Sequence, residues 1–188
     1  PFKVPLMGIG NETWGCGGAM TPEYYSQEYR RFQEFFHKNQ DNSAARIAVG
    51  PSGDDTNWTE VIMKNIGNRR MDGISLHYYT LPTGNWDKKG ASINFTQQAW
   101  VDTFEQTLRM DGFIQKHSAV MDKYDPEKRV ALYVDEWGTW YDVEPGTNPG
   151  HLYQLNTLRD GLLAAANFNI FHKYPERVKM TAIAQTIK

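Results

Sequence analysis

No disulfide can form within this chain, because its 188 residues include one cysteine, Cys16. That suits a reducing compartment, and a cytoplasmic location is the expectation, with a periplasmic or secreted protein free of disulfides as the alternative. No histidine stands near Cys16 in the sequence, which argues against a thiol nucleophile there. No apolar run approaches the roughly 20 residues of a membrane-spanning helix, and the first residues lack the pattern of a signal peptide. Excess basic charge is missing too. Lys and Arg number 20 against 22 Asp and Glu, for a net charge of -2. With the signs interspersed, this argues against nucleic acid, which is usually met by a basic stripe. The 5 histidines show no metal-ligand spacing, so no metal site is expected. There is no Gly-x-Ser-x-Gly elbow, and Gly50-Pro51-Ser52-Gly53 lacks the lysine of a phosphate-binding loop.

What the chain does have is aromatic residues, 13% of the total, and alternating strand-like and helix-like stretches. Apolar runs at 4–10, 45–50, 72–79, 129–135 and 178–184 read as strands. Helical periodicity predicts helices over 22–38, 58–66, 96–123 and 151–171. Thr21-Pro22-Glu23 reads as a helix start, with a capping threonine, proline in the first turn and an acid at the positive end of the dipole. Asn57-Trp58-Thr59-Glu60 reads as a capping box, and Asp125-Pro126 as a stop. Two longer loops, 80–95 and 142–150, carry Gly, Asn and Pro. The order β-α-β-α-β-α-β-α-β predicts an α/β fold with a parallel sheet and right-handed crossovers. Both a (β/α)8 barrel and an open doubly wound sheet satisfy it. Each puts chemistry at the carboxyl ends of the strands.

Those ends are where the polar residues gather. Glu12, after Asn11, follows the first strand, and Glu136 follows the fourth. An acid beside a buried strand is costly unless it is paired or used. Two such acids at one edge of one sheet suggest the carboxyl pair that cleaves glycosidic bonds. In that reading Glu12 is the general acid/base, Asn11 binds a sugar hydroxyl and Glu136 is the nucleophile. His77 and Tyr79 end the third strand two residues apart, hence on one face with Tyr78 on the other. They are candidates for holding the nucleophile or a sugar hydroxyl. Trp140 is the strongest candidate for an aromatic sugar platform, ahead of Trp14 and Trp137. Gln185 ends the last strand and could bind sugar.

The segments around these residues resemble one family closely. Gly8-Ile9-Gly10-Asn11-Glu12-Thr13-Trp14-Gly15-Cys16-Gly17-Gly18, with Met20-Thr21-Pro22-Glu23-Tyr24-Tyr25, resembles the acid/base segment of family 51 glycoside hydrolases, the α-L-arabinofuranosidases. Asp72-Gly73-Ile74-Ser75-Leu76-His77-Tyr78-Tyr79 resembles that family's His-x-Tyr segment. Tyr133-Val134-Asp135-Glu136-Trp137-Gly138-Thr139-Trp140-Tyr141 resembles its nucleophile segment. The resemblance runs through essentially the whole chain. It implies a (β/α)8 TIM barrel of which residues 1–188 supply strands 4–8, the amino-terminal strands and a carboxyl-terminal β-sandwich being absent from this stretch.

It further implies a retaining, exo-acting enzyme that removes terminal α-L-arabinofuranosyl residues from arabinoxylan, arabinan and their oligosaccharides. Glu12 would be the acid/base and Glu136 the nucleophile. Asn11, His77, Tyr79, Trp140 and Gln185 would contact sugar or nucleophile. No metal or organic cofactor is implied. A homohexamer is, with an arabinose-containing oligo- or polysaccharide as partner. The rival expectations are a related endo-β-1,4-glucanase or xylosidase, and a carbohydrate-binding domain without catalysis.

Overall fold

The computed structural model describes residues 3–36 and 44–184. Five strands alternate with four helices: β1 (Leu6–Ile9), α1 (Pro22–Phe32), β2 (Ala45–Ala48), α2 (Thr56–Ile66), β3 (Gly73–Thr80), α3 (Gln97–Tyr124), β4 (Ala131–Thr139), α4 (Leu158–Phe171) and β5 (Val178–Ile183). Short 3-10 turns cover Gln33–Phe35, Trp86–Lys88 and Pro149–His151. Helix starts follow side-chain capping. Thr21 accepts the Tyr24 N–H ahead of Pro22, and Thr96 accepts that of Ala99. These caps satisfy amide donors that the first turn leaves open. No helix among the described residues is long and apolar enough to cross a membrane.

The strands are parallel and lie in chain order, β1-β2-β3-β4-β5. Each new strand is added on the same side of the last. A doubly wound sheet reverses direction partway, so this order excludes it and leaves a parallel half-barrel. The two faces differ. One packs Ile9, Ala48, Ile74, Leu76, Leu132 and Val134 against the helices, burying Tyr29, Ile62, Met110, Ile114 and Phe171 in one core. The other carries a smaller cluster of Ile47, Ala131 and Tyr133 with Leu6 and Met180. Gly73 is there because a Cβ would stand 2.1 Å from the Tyr133 ring.

Several boundaries differ from the sequence reading. The cap of α2 is Asp55, whose carboxylate accepts the Trp58 N–H at 3.1 Å, and not the box at 57–60. The fourth helix begins at Leu158, where Thr157 and Asp160 form a capping box. Residues ahead of it are held as loop, since Gln154 accepts the Tyr141 N–H and donates to the Thr139 carbonyl. Strand β4 runs on to Thr139, four residues past its expected end, because β3 continues beside it to Thr80.

Strand β4 is also irregular. Ser75 pairs with Tyr133, yet His77 pairs with Glu136, so β3 advances two residues while β4 advances three. On the other side, Val134 pairs with Thr181 and Trp137 with Ile183, again three against two. Both neighbours thus locate one bulge in β4 between Val134 and Trp137. A bulge breaks the alternation of faces and re-aims side chains.

The amino edge of the sheet is pinned by Arg177, which is fully buried. Its Nη1 donates to Asp125 Oδ2 and to the Val130 carbonyl, both at 2.8 Å, and its Nη2 to the Asp125 carbonyl at 2.8 Å. Asp125 ends α3 and also accepts the Val130 N–H at 2.8 Å. Burial acts to raise the Asp125 pKa. Hydrogen bonds from Val130, Arg177 and Asn68 outweigh it and hold the carboxyl below its ordinary value. Removing the guanidinium would strand a buried carboxylate, a loss of roughly 3–5 kcal/mol. Arg177→Met is therefore expected to lower the chemical-denaturation stability by that order. A variant within about 0.5 kcal/mol of the unsubstituted protein would contradict the role given to the pair.

Candidate active site

Glu12 sits in a tight turn directly after β1. Its own backbone is left-handed, at φ 43°, and its carbonyl accepts the N–H groups of Gly15 and Gly17 at 2.8 and 3.0 Å. Gly17 can be nothing larger, because a Cβ would come within 1.8 Å of the Asn11 carbonyl oxygen. Trp14 anchors the turn by donating its indole N–H to the Gly50 carbonyl at 3.1 Å. The glycine-rich stretch is thus what lets the chain turn sharply enough to aim Glu12 across the strand ends.

The side chain of Glu12 meets β3 and β4. His77 Nδ1 is 2.9 Å from Glu12 Oε1 and 3.4 Å from Glu136 Oε2. Its other nitrogen, Nε2, is 3.2 Å from Asp135 Oδ1. Tyr79 donates its hydroxyl to Glu136 Oε1 in a short hydrogen bond. One oxygen of Glu12, one nitrogen of His77 and one oxygen of Glu136 all lie within 4.8 Å of one another. His77 itself is 3% exposed. Its backbone is held too, donating to the Pro51 carbonyl at 3.1 Å and accepting from Gly53 at 2.9 Å.

The electrostatics follow from this crowding. Burial acts to lower the His77 pKa. Close contact with Asp135, the hydrogen bond to Glu12 and the charges of Asp135 and Glu136 outweigh it and push the pKa up to about 9. Near neutral pH the ring is therefore an imidazolium with both nitrogens as donors. The same spacing would also suit a small cation, which would take the place of the ring proton. Tyr79 is raised as well, by burial first and then by its bond to Glu136, so its hydroxyl stays a donor. The Cys16 thiol donates to Glu12 Oε2 at 3.3 Å, and that bond pushes its pKa up. It is a poor nucleophile, as its sequence setting suggests.

Around the pair lies a cleft of about 570 Å³ lined by Trp14, Tyr79, Trp86, Trp140 and Leu152. Trp140 packs against Tyr79 at 5.7 Å between ring centres and against Trp86 at 6.2 Å. The two long loops that flank the cleft are tied together. Asp142 accepts the N–H groups of Lys89 and Gly90 at 3.0 and 3.1 Å, and Ser92 donates to Glu144 at 2.8 Å. Arg159 lies against the faces of Phe95 and Tyr141 and donates to the Ala91 carbonyl.

Of the residues singled out in the sequence, Glu12, Glu136, His77, Tyr79 and Trp140 come together here. Asn11 is exposed beside Glu12. Gln185 lies outside the described residues. Trp137 is not available as a platform: it is 1% exposed, wedged edge-on between Phe168 and Phe171. The bulge explains this, because it turns Glu136 to the cleft and the next residue to the helices. Asp135 and Trp86 were not anticipated. Strict alternation would send Asp135 to the face opposite Glu136, and nothing in a loop tryptophan announces where it folds back.

A parallel half-barrel sheet with two glutamates converging at its carboxyl edge defines a class, the α/β proteins whose strand ends carry the carboxyl pair used on glycosidic bonds. Comparison with known proteins narrows it. Residues 135–188 match the family described as the α-L-arabinofuranosidase C-terminal domain. An intracellular exo-α-L-arabinofuranosidase of Bacteroides ovatus is 47% identical over 186 residues, which cover 99% of this chain and 36% of that protein. An intracellular exo-α-(1→5)-L-arabinofuranosidase of Halalkalibacterium halodurans is 26% identical over 205 residues, covering 100% of this chain and 38% of that protein. The crystal structure of the GH51 arabinofuranosidase from Xanthomonas axonopodis pv. citri superposes with a TM-score of 0.95 at 53% identity, over 99% of this chain and 37% of that one. The chain belongs to glycoside hydrolase family 51. It spans little more than a third of the length of the curated relatives it matches.

The raised His77 pKa has a consequence for stability. A group whose folded pKa exceeds its unfolded value of 6.5 stabilises fully below that value and loses the contribution as pH rises through the folded value, about 9. The stability difference between the unsubstituted protein and His77→Gln is thus expected to be largest near pH 6 and to shrink up to pH 9 and beyond. Denaturant midpoints across that range check it. A difference that is flat with pH would contradict the charged ring.

Proposed function

We propose that the protein carrying this chain is a retaining, exo-acting α-L-arabinofuranosidase. It would release terminal non-reducing α-L-arabinofuranosyl residues from arabinoxylan, arabinan and their oligosaccharides. The observation that carries the reading is the approach of Glu12 and Glu136 oxygens to within 4.8 Å around His77. Retaining glycosidases hold their carboxyl groups roughly 5–5.5 Å apart, and inverting ones roughly 6.5–9.5 Å, leaving room for water. The hydrogen bond from Tyr79 supports the choice of Glu136 as nucleophile, since it fixes one oxygen and leaves the other to attack.

In this mechanism a Glu136 oxygen bonds to the anomeric carbon as the glycosidic C–O bond breaks. Glu12 gives its proton to the departing oxygen. Water then attacks the anomeric carbon and passes a proton to Glu12, and the bond to Glu136 breaks. Two inversions leave the configuration retained. Trp140 and Trp86 offer apolar faces at the cleft, and Asn11 and Gln185 would complete the sugar contacts.

The same reading includes the rest of the fold. The five strands are taken as strands 4–8 of a (β/α)8 barrel, with the first strands and a β-sandwich supplied by sequence outside these 188 residues. An apolar groove of about 310 Å³ beside β1, lined by Ile9, Met20, Tyr29, Phe32 and Phe36, supports further elements packing at that edge. A cytoplasmic location accords with relatives named intracellular, and a homohexamer completes the reading, to be checked by sedimentation.

The test uses the full-length protein on nitrophenyl α-L-arabinofuranoside. Turnover is expected, with loss of turnover in Glu136→Ala, and proton NMR of early product should show the retained anomer. Glu12→Ala should lose on the order of 10²–10⁴-fold on natural oligosaccharides, whose leaving groups need a proton. It should lose less on the nitrophenyl glycoside. Release of the inverted anomer, or full activity in Glu136→Ala, would overturn the assignment.

A further inference from the structure

Among the described residues, three carboxylates face the His77 ring, and the proposed mechanism uses only two of them. The third is Asp135. Its Oδ1 is buried and has no hydrogen-bond partner, yet His77 Nε2 stands 3.2 Å away as its ion-pair partner. The bulge in β4 brings it there, by turning Asp135 and Glu136 to the same side of the sheet. A regular strand would have sent one of them into the helix-facing core. An irregularity that costs a ladder hydrogen bond to bring a half-buried acid beside the catalytic pair calls for a use.

We propose that Asp135 is a positioning residue, which grips His77 at Nε2 so that Nδ1–H stays aimed at the gap between Glu12 and Glu136. This rests on the reading of those two glutamates as the working pair. The ring has one rotational freedom that matters, the turn about its bond to the strand. Asp135 at one nitrogen and the two glutamates at the other fix it at both ends. A ring so fixed keeps the two carboxylates at the separation a double displacement requires, and its positive charge offsets their mutual repulsion. The titratable groups around it are Glu12 from the turn after β1, Asp135 and Glu136 from β4, and Tyr79 from β3. Cys16 touches the far oxygen of Glu12. Removing the Asp135 charge takes away one of the interactions that raise the ring's proton affinity. The proton then leaves at lower pH, and Nδ1 can cease to donate inside the working range.

The experiment compares Asp135→Asn, a near-isostere without the charge, with the unsubstituted full-length protein and with Glu136→Ala. The expected result is a fall in kcat on the order of 10²-fold with KM changed by no more than about twofold. The basic limb of the kcat/KM profile should also move down by about one pH unit. A uniform loss at all pH values with an unmoved limb would mean a merely structural role and overturn the proposal. So would unchanged kinetics. If Asp135→Asn does not fold, the unsubstituted protein still decides the matter by ¹⁵N NMR of labelled histidine, with His77→Gln used to assign the signal. Both ring nitrogens of His77 should carry protons at pH 7.5, and a neutral ring there overturns the proposal. Glu136→Ala separates the two levels. If it keeps turnover, the reading of the active pair fails. If it is dead while Asp135→Asn is unaffected, only the role of Asp135 fails.

Discussion

Everything at this site depends on one buried histidine with three acids against it. Like charges at this spacing repel strongly, the more so where water is partly excluded. Two glutamates held within 4.8 Å need a proton on one of them or something positive or donating between them. His77 does so as an imidazolium, and it is placed to reach Glu12, Glu136 and Asp135 at once. No single element could supply this arrangement. The ring comes from β3, two acids from β4 and the third from the turn after β1. The site therefore exists only where the strands are in register.

Two local departures from regular structure make that register useful. The turn after β1 folds back on the Glu12 carbonyl through Gly15 and Gly17, and Gly17 has no room for a side chain. It is anchored by an indole hydrogen bond to the loop after β2. The bulge in β4 adds one residue against both neighbouring strands. It sets two consecutive acids beside His77, and it gives the core Trp137, whose ring fills the space between Phe168 and Phe171. The same irregularity thus shapes the cluster around His77 on one face and the packing on the other. At the opposite edge, the buried Arg177 with Asp125 joins the end of α3 to the starts of β4 and β5, so rigidity below supports precision above.

Much of this could be read without coordinates. Alternating strands and helices, with polar residues collected at strand ends, are enough to identify a parallel α/β layer and the edge where chemistry belongs. Glu12, His77, Tyr79 and Glu136 stood out because charged or polar residues directly after apolar runs need a reason. The choice between a doubly wound sheet and a barrel-like one was not legible, since helix–strand alternation is common to both. Only the strand order decides it. Boundaries slipped where loop residues resemble helix, as ahead of Leu158, and where a cap lies one turn earlier than its look-alike, as at Asp55.

The sequence by itself determined the element order, the pair of glutamates and the family to which the chain belongs, because hydrophobic period and short motifs are local properties. Tertiary structure decided the rest. That Asp135 shares a face with Glu136 depends on a bulge defined only against two neighbouring strands. That Trp86 meets Trp140 depends on a loop pinned to another loop 52 residues away by Asp142 and Glu144. The charge on His77 is likewise a property of three-dimensional crowding: a ring that would be mostly neutral at pH 7 in a short peptide is kept protonated by acids up to 65 residues distant in the chain. Electrostatic energy depends on separation in space and on the loss of water, and the linear order of residues specifies neither.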